Sequence, residues 1–145
     1  EMVIRDWSSD VCSSDLAMLV SLAVVGDPGR VLVIGLGGGT LPSFLRRHYP
    51  EATIDAVDID PEVIEVAKSH FGFREDARMR AHVRDGRKFI EEVAEPYDLI
   101  FLDAFSADSI PRQLTTRQFL EAVRRAMKPG GGVVANLWSQ SSNPL

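Results

Sequence analysis

The chain has 145 residues, a formal net charge of −5, one cysteine, and 45% hydrophobic against 26% charged residues. That length suits one domain with a real core, and the composition is neither disordered nor collagenous. A single cysteine forms no internal disulfide, which excludes a disulfide scaffold and fits a reducing cytoplasm, while the acidic balance argues against general nucleic-acid binding.

Residues 6–16 repeat Ser-Ser-Asp and follow neither a helical nor a strand period. Ser-Ser-Asp is serviceable N-cap chemistry for a helix starting near residue 16. The string is also similar to the translation of a short sequencing adapter, so residues 1–16 are read as a non-native leader and residues 17–145 as the domain. Trp7 and Cys12 then carry no role. The longest apolar run, residues 16–25, includes Ser21 and falls well short of the roughly 20 residues that span a bilayer.

Residues 18–25 read as a short apolar helix closed by Gly26-Asp27-Pro28-Gly29. A buried strand, Arg-Val-Leu-Val-Ile, covers residues 30–34, and a helix follows over 40–48. A second strand spans 53–57, and Asp60-Pro61-Glu62 opens a helix reaching about residue 71, with Val63, Ile64 and Ala67 inward. A weaker strand over 79–83 and a helix over 87–93 come next, then a strand over 97–102. An amphipathic helix over 116–127 is stopped by Pro129-Gly130-Gly131-Gly132, and a fifth strand runs over 133–138. This alternation predicts an α/β fold, a doubly wound and mainly parallel sheet with helices on both faces. Ligands of such sheets sit beyond the carboxyl ends of the strands, here just after Ile34, Val57, Val83 and Leu102.

One of those ends carries Gly35-Leu36-Gly37-Gly38-Gly39-Thr40, between a strand and a helix. Glycines there let the backbone turn and approach a ligand, and the helix start offers free N–H groups to an anion. The second strand ends in Asp58, whose carboxylate can accept both hydroxyls of a ribose; Asp60 is the better N-cap for the following helix. A nicotinamide-dinucleotide loop wants glycine or alanine where Thr40 stands, and a phosphate-binding P-loop wants Gly-Lys-Ser or Gly-Lys-Thr. The Gly35, Gly37, Gly39 core fits the S-adenosylmethionine type, with the helix start facing a carboxylate.

At this point the chain resembles the spermidine synthase-like branch of the Rossmann-fold S-adenosylmethionine-dependent transferases, over about residues 18–137. The resemblance rests on Val31-Leu-Val-Ile-Gly-Leu-Gly-Gly-Gly39, Val57-Asp-Ile-Asp-Pro-Glu-Val-Ile-Glu-Val-Ala67 and Asp85-Gly86. It continues through Tyr97-Asp-Leu-Ile-Phe-Leu-Asp103, Leu114-Thr-Thr-Arg-Gln-Phe119 and Met127-Lys-Pro-Gly-Gly131. It implies that Gly35, Gly37 and Gly39 cradle the donor, Asp58 holds its ribose and Asp85 accepts the adenine amino group. Asp103 matches the catalytic carboxylate that takes a proton from an attacking amine. The implied donor is S-adenosylmethionine or its decarboxylated form and the acceptor a small amine; the cysteine count points to a cytoplasmic setting, and the histidine spacing to no metal. The fold usually continues past a fifth strand, so the domain is expected to be incomplete at its C-terminus.

Two departures bear on the chemistry. Polyamine synthases carry an aspartate where Gly38 stands, which serves the ammonium of a decarboxylated donor, and a second aspartate where Ser106 stands. Asp108 lies two residues beyond. Both changes favour methyl transfer or a diverged reaction over aminopropyl transfer. A non-catalytic donor-binding fragment and, disfavoured by Thr40, a nicotinamide oxidoreductase are the other readings, and assembly into a homo-oligomer stays open. His48, His70 and His82 have no ligand spacing. The arginines at 74, 78, 80, 84 and 87 read as a solvated face, and Phe101, Phe105 and Phe119 as core.

Overall fold

The computed structural model describes residues 22, 26–103, 114 and 116–136. The leader and the segment holding Phe105, Ser106 and Asp108 lie outside the described residues. Of the apolar helix expected over 18–25, Leu22 alone is described, and it is helical and buried.

Five strands and four helices alternate in the order β1 (Arg30–Ile34), α1 (Thr40–His48), β2 (Thr53–Asp58), α2 (Pro61–His70), β3 (Met79–Val83), α3 (Gly86–Glu91), β4 (Tyr97–Leu102), α4 (Arg117–Arg125) and β5 (Met127–Ala135). The strands form one sheet in the order β3-β2-β1-β4-β5, and every pairing is parallel. This is the Rossmann-like methyltransferase arrangement. Side chains alternate across β1, so its two faces feed two cores. Val31 and Val33 pack with Leu41 and Leu45 of α1 and with Ile64 and Ala67 of α2. Leu32 and Ile34 pack with Ile90 of α3 and with Phe119, Ala122 and Val123 of α4. Both faces of the central strand are thereby buried, as its unbroken apolar run requires.

Three of the four helix starts, those of α2, α3 and α4, follow from short polar residues. Asp60 accepts the N–H of Glu62 at 2.8 Å ahead of Pro61. Thr116 accepts the N–H of Phe119 at 3.2 Å, so α4 begins one residue later than its pattern suggests and ends before Met127. Asp85 opens α3 ahead of Gly86, one residue earlier than expected.

The last strand departs most from expectation. It begins at Met127, and Pro129 and the glycine run lie inside it rather than ahead of it. An irregularity lets Tyr97 face Met127 while Leu99 already faces Gly132. Gly131 fits because a Cβ there would stand 2.7 Å from the carbonyl oxygen of Asp98. The glycines are read from sequence as a stop, whereas here they permit close strand approach.

Candidate functional site

The strand order places a switch point above β1. The chain steps outward from β1 to β2 and β3, then returns to the other side of β1 as β4, opening a crevice at the carboxyl ends of the strands. The glycine loop fills the start of that crevice. Gly35, Gly37 and Gly39 adopt φ of 95°, 52° and 75°, in the left-handed region that favours glycine. Gly35 donates its N–H to Val57 at 2.8 Å, tying the loop to the end of β2. Helix α1 then starts at Gly39 with neither a side-chain cap nor an acid in its first turn, so its first N–H groups keep their positive end for a ligand.

Asp58 is half-buried at the end of β2 and grips the loop directly. Its Oδ2 accepts the N–H of Leu36 at 2.9 Å, and its Oδ1 accepts that of Asp60 at 3.0 Å. A carboxylate offers about four acceptor positions, so these two bonds leave capacity for a diol while fixing the orientation of the group. Asp85 spends one oxygen on the cap of α3, Oδ1 accepting from Arg87 and Lys88 N–H at 2.8 and 3.2 Å. Gly86 explains how Asp85 comes so near the crevice. A Cβ there would meet Ile34 Cγ2 at 2.5 Å, so only glycine lets α3 press against the end of β1.

Asp103 follows β4 and donates its backbone N–H to Ile34 at 2.8 Å. Gly35, Asp85 and Asp103 are thus all organised around the end of β1. Beside Asp103 stands Asn136, just after β5, whose Nδ2 donates to Asp103 Oδ1 at 3.1 Å. Asn136 is not among the residues that the sequence motifs single out. Its signal was its place as the residue following an apolar strand in a parallel sheet, where site residues collect.

Position 38 has its own surroundings. A Cβ on Gly38 would come within 3.3 Å of the Phe71 ring, and one on Gly39 within 2.8 Å of Phe73. The Phe71-Gly72-Phe73 segment therefore packs along the back of the loop, Gly72 supplying the turn at φ 72°. No acid stands at 38, and an aromatic ring occupies the space beside it.

Residues 11–143 match the Spermine/spermidine synthase domain family. The chain belongs to this family. It is 42% identical over 117 residues to the polyamine aminopropyltransferase of Vibrio vulnificus (strain CMCP6), a match covering 79% of this chain and 39% of that protein. It is also 37% identical over 151 residues to the eEF1A lysine and N-terminal methyltransferase of Homo sapiens, covering 91% of this chain and 22% of that one. Among solved structures it is similar to human methyltransferase-like protein 13 in complex with SAH, with a TM-score of 0.81 and 34% identity over 90% of this chain and 67% of that one. A probable spermidine synthase from Corynebacterium glutamicum matches with a TM-score of 0.74 and 25% identity, over 86% of this chain and 46% of that one. The chain spans well under half the length of both curated relatives.

This spermine/spermidine synthase domain also holds two polar clusters away from the crevice. Asp55, facing the α3 side of β2, accepts from Tyr97 Oη at 2.8 Å, from Arg30 Nη2 at 3.3 Å, and meets His82 Nε2 at 2.8 Å. Burial and the Asp55 carboxylate push the Tyr97 hydroxyl far above its ordinary value. Arg30, Asp55 and Tyr97 border a cavity of about 340 Å³ that Arg84 and Phe89 also line. Its guanidinium groups are already paired, Arg30 with Glu95 and Asp55, Arg84 with Glu92, so the cluster reads as architecture. Asp98 plays a similar part at the amino end of the sheet, Oδ2 accepting from Gly29 and Arg30 N–H at 3.0 and 2.7 Å and from Lys128 Nζ at 2.9 Å. Of the arginine stretch, Arg78, Arg84 and Arg87 pair with Glu51, Glu92 and Glu91. Phe101 and Phe119 are fully buried.

Proposed function

We propose that the domain transfers a methyl group from S-adenosylmethionine to a small amine acceptor in the cytoplasm. One observation carries the choice of donor: the glycine loop has no acid at position 38, and α1 begins with neither a capping side chain nor an acidic first turn. An uncompensated helix start suits the carboxylate that S-adenosylmethionine keeps and its decarboxylated form lacks. An ammonium at that place would meet positive partial charge and no carboxylate.

The donor supplies an alkyl group already activated on a sulfonium. The residues of the chain then have two tasks, alignment and proton acceptance. Gly35, Gly37 and Gly39 allow close approach, Asp58 holds the ribose, and Asp85 receives the adenine amino group. Asp103 accepts the proton that the amine loses as its nitrogen forms the new bond to carbon and the carbon–sulfur bond breaks, the electron pair leaving on sulfur as a thioether. Holding the partners in line is worth several kcal/mol of barrier in such displacements, on the order of 7–11 at best.

A second reading, aminopropyl transfer, is favoured by the 42% identity to the Vibrio vulnificus enzyme. Calorimetric titration with both donors separates the two. Tighter binding of S-adenosylmethionine, with a mass gain of one methyl on an amine in a panel of diamines, is the expected result. Tighter binding of the decarboxylated donor defeats the proposal in favour of aminopropyl transfer. Binding without turnover on any amine leaves a donor-binding fragment.

A further inference from the structure

We propose that Asn136 is a positioning residue for Asp103, a role that rests on reading Asp103 as the base. Three adjacent strands hold the pair. Asp103 donates its backbone N–H to Ile34 on β1 at 2.8 Å, and Asn136 donates its own to Leu102 on β4 at 3.0 Å. Ala135 is in register with Leu102, so Asn136 follows as the next step of the same ladder, opposite Asp103. Both backbones are therefore fixed before the side chains meet. Asn136 Nδ2 then donates to Asp103 Oδ1 at 3.1 Å and sets the plane of the carboxylate.

The choice of an amide matters chemically. A lysine or arginine here would hold the carboxylate equally well, but its charge would depress the basicity that proton acceptance needs. An amide orients the group without itself adding a positive charge. The ionisable side chains on the neighbouring strand ends, Asp58 and Asp85, are each engaged by backbone N–H groups.

The test is a carbon-detected NMR titration of the Asp103 carboxyl in the full 145-residue chain, in wild type, Asn136→Leu and Asn136→Asp. Loss of a hydrogen bond to a charged acceptor raises the titration of Asp103 in Asn136→Leu by about one pH unit, roughly tenfold in acid dissociation. Asn136→Asp is the same size, so it preserves packing where leucine does not fold, and its like charge gives a larger rise or a two-step titration. A folded variant whose Asp103 titrates as in wild type overturns the positioning role, because the amide would then not be holding the ionised carboxylate. Calorimetry with S-adenosylmethionine and its decarboxylated form on the wild-type protein separates the two claims. Wild type binding neither donor overturns the transfer reading, and the base assignment with it, whatever the titration shows. Donor binding with an unmoved Asp103 overturns the positioning alone.

Discussion

Replacing Gly39 with alanine separates the packing role of the loop from its ligand role. Two costs act together at that position. Its φ of 75° puts any L residue in the left-handed region, at about 1–2 kcal/mol. The new methyl would also stand 2.8 Å from Phe73 Cδ2 and 2.9 Å from Phe73 Cβ. Phe73 is 1% exposed and belongs to the core formed with Leu41, Leu45 and Ile64, so it has little room to yield, and overpacking of that kind adds about 1–3 kcal/mol. The sum, about 2–5 kcal/mol, is a large part of a typical domain's stability. Gly37→Ala is the matched control. Its φ is 52°, but a Cβ there meets nothing within 4 Å, so only the conformational cost applies while the methyl enters the open crevice. Urea unfolding should rank wild type above Gly37→Ala and that above Gly39→Ala, with unchanged slopes. Donor titration should show Gly37→Ala losing affinity although it folds. Equal stability of the two variants would refute the packing of Phe73 against the loop.

Asp98→Ala removes the acceptor shared by Gly29, Arg30 and Lys128, at an expected cost of about 2–3 kcal/mol in urea unfolding near neutral pH; an unchanged midpoint counts against this role. Burial tends to raise Asp98, but the Lys128 ammonium and the N–H groups of Arg30 and Gly29 outweigh it and hold the carboxyl below its usual range. A lowered folded value means that the contribution is complete above about pH 4 and lost as pH falls below it. Wild type and Asp98→Ala should therefore converge in stability as pH falls below about 4, and a gap that stays constant with pH contradicts the linkage. Asp55→Ala removes the acceptor of Tyr97 and a partner of His82 and Arg30, which keeps Glu95, and should cost about 2–3 kcal/mol, whereas Tyr97→Phe removes one bond, about 1 kcal/mol; thermal unfolding that ranks them the other way would reject Asp55 as the hub.

Much of this architecture was legible because local signals agreed. The apolar run at 31–34 between glycine-rich turns has few readings other than a buried parallel strand, and Asp60-Pro61 states a helix start in two residues. The positions of Gly35, Asp58, Asp85 and Asp103 are equally local, since each ends a strand or follows closely after one, where parallel sheets gather ligands. What escaped depends on contacts between distant segments. The glycines after Pro129 are turn residues by local chemistry, yet they lie within β5, where Gly131 fits closely against the Asp98 carbonyl. Asp55 looks like an isolated acid in a strand until Tyr97, Arg30 and His82 arrive from three other strands. Gly86 reads as half of an Asp-Gly turn, yet its absent side chain is what admits Ile34. Asn136 gains meaning only once β5 is laid beside β4.

The central claim is that the glycine loop and Asp58 form an adenosyl-donor site, and calorimetric titration of wild type and Asp58→Ala with S-adenosylhomocysteine tests it most directly. Wild type should bind, and Asp58→Ala should bind at least about tenfold more weakly, roughly 1.4 kcal/mol, having lost the ribose acceptor and its grip on Leu36. Equal affinity in the two proteins, or no binding by wild type, would contradict it.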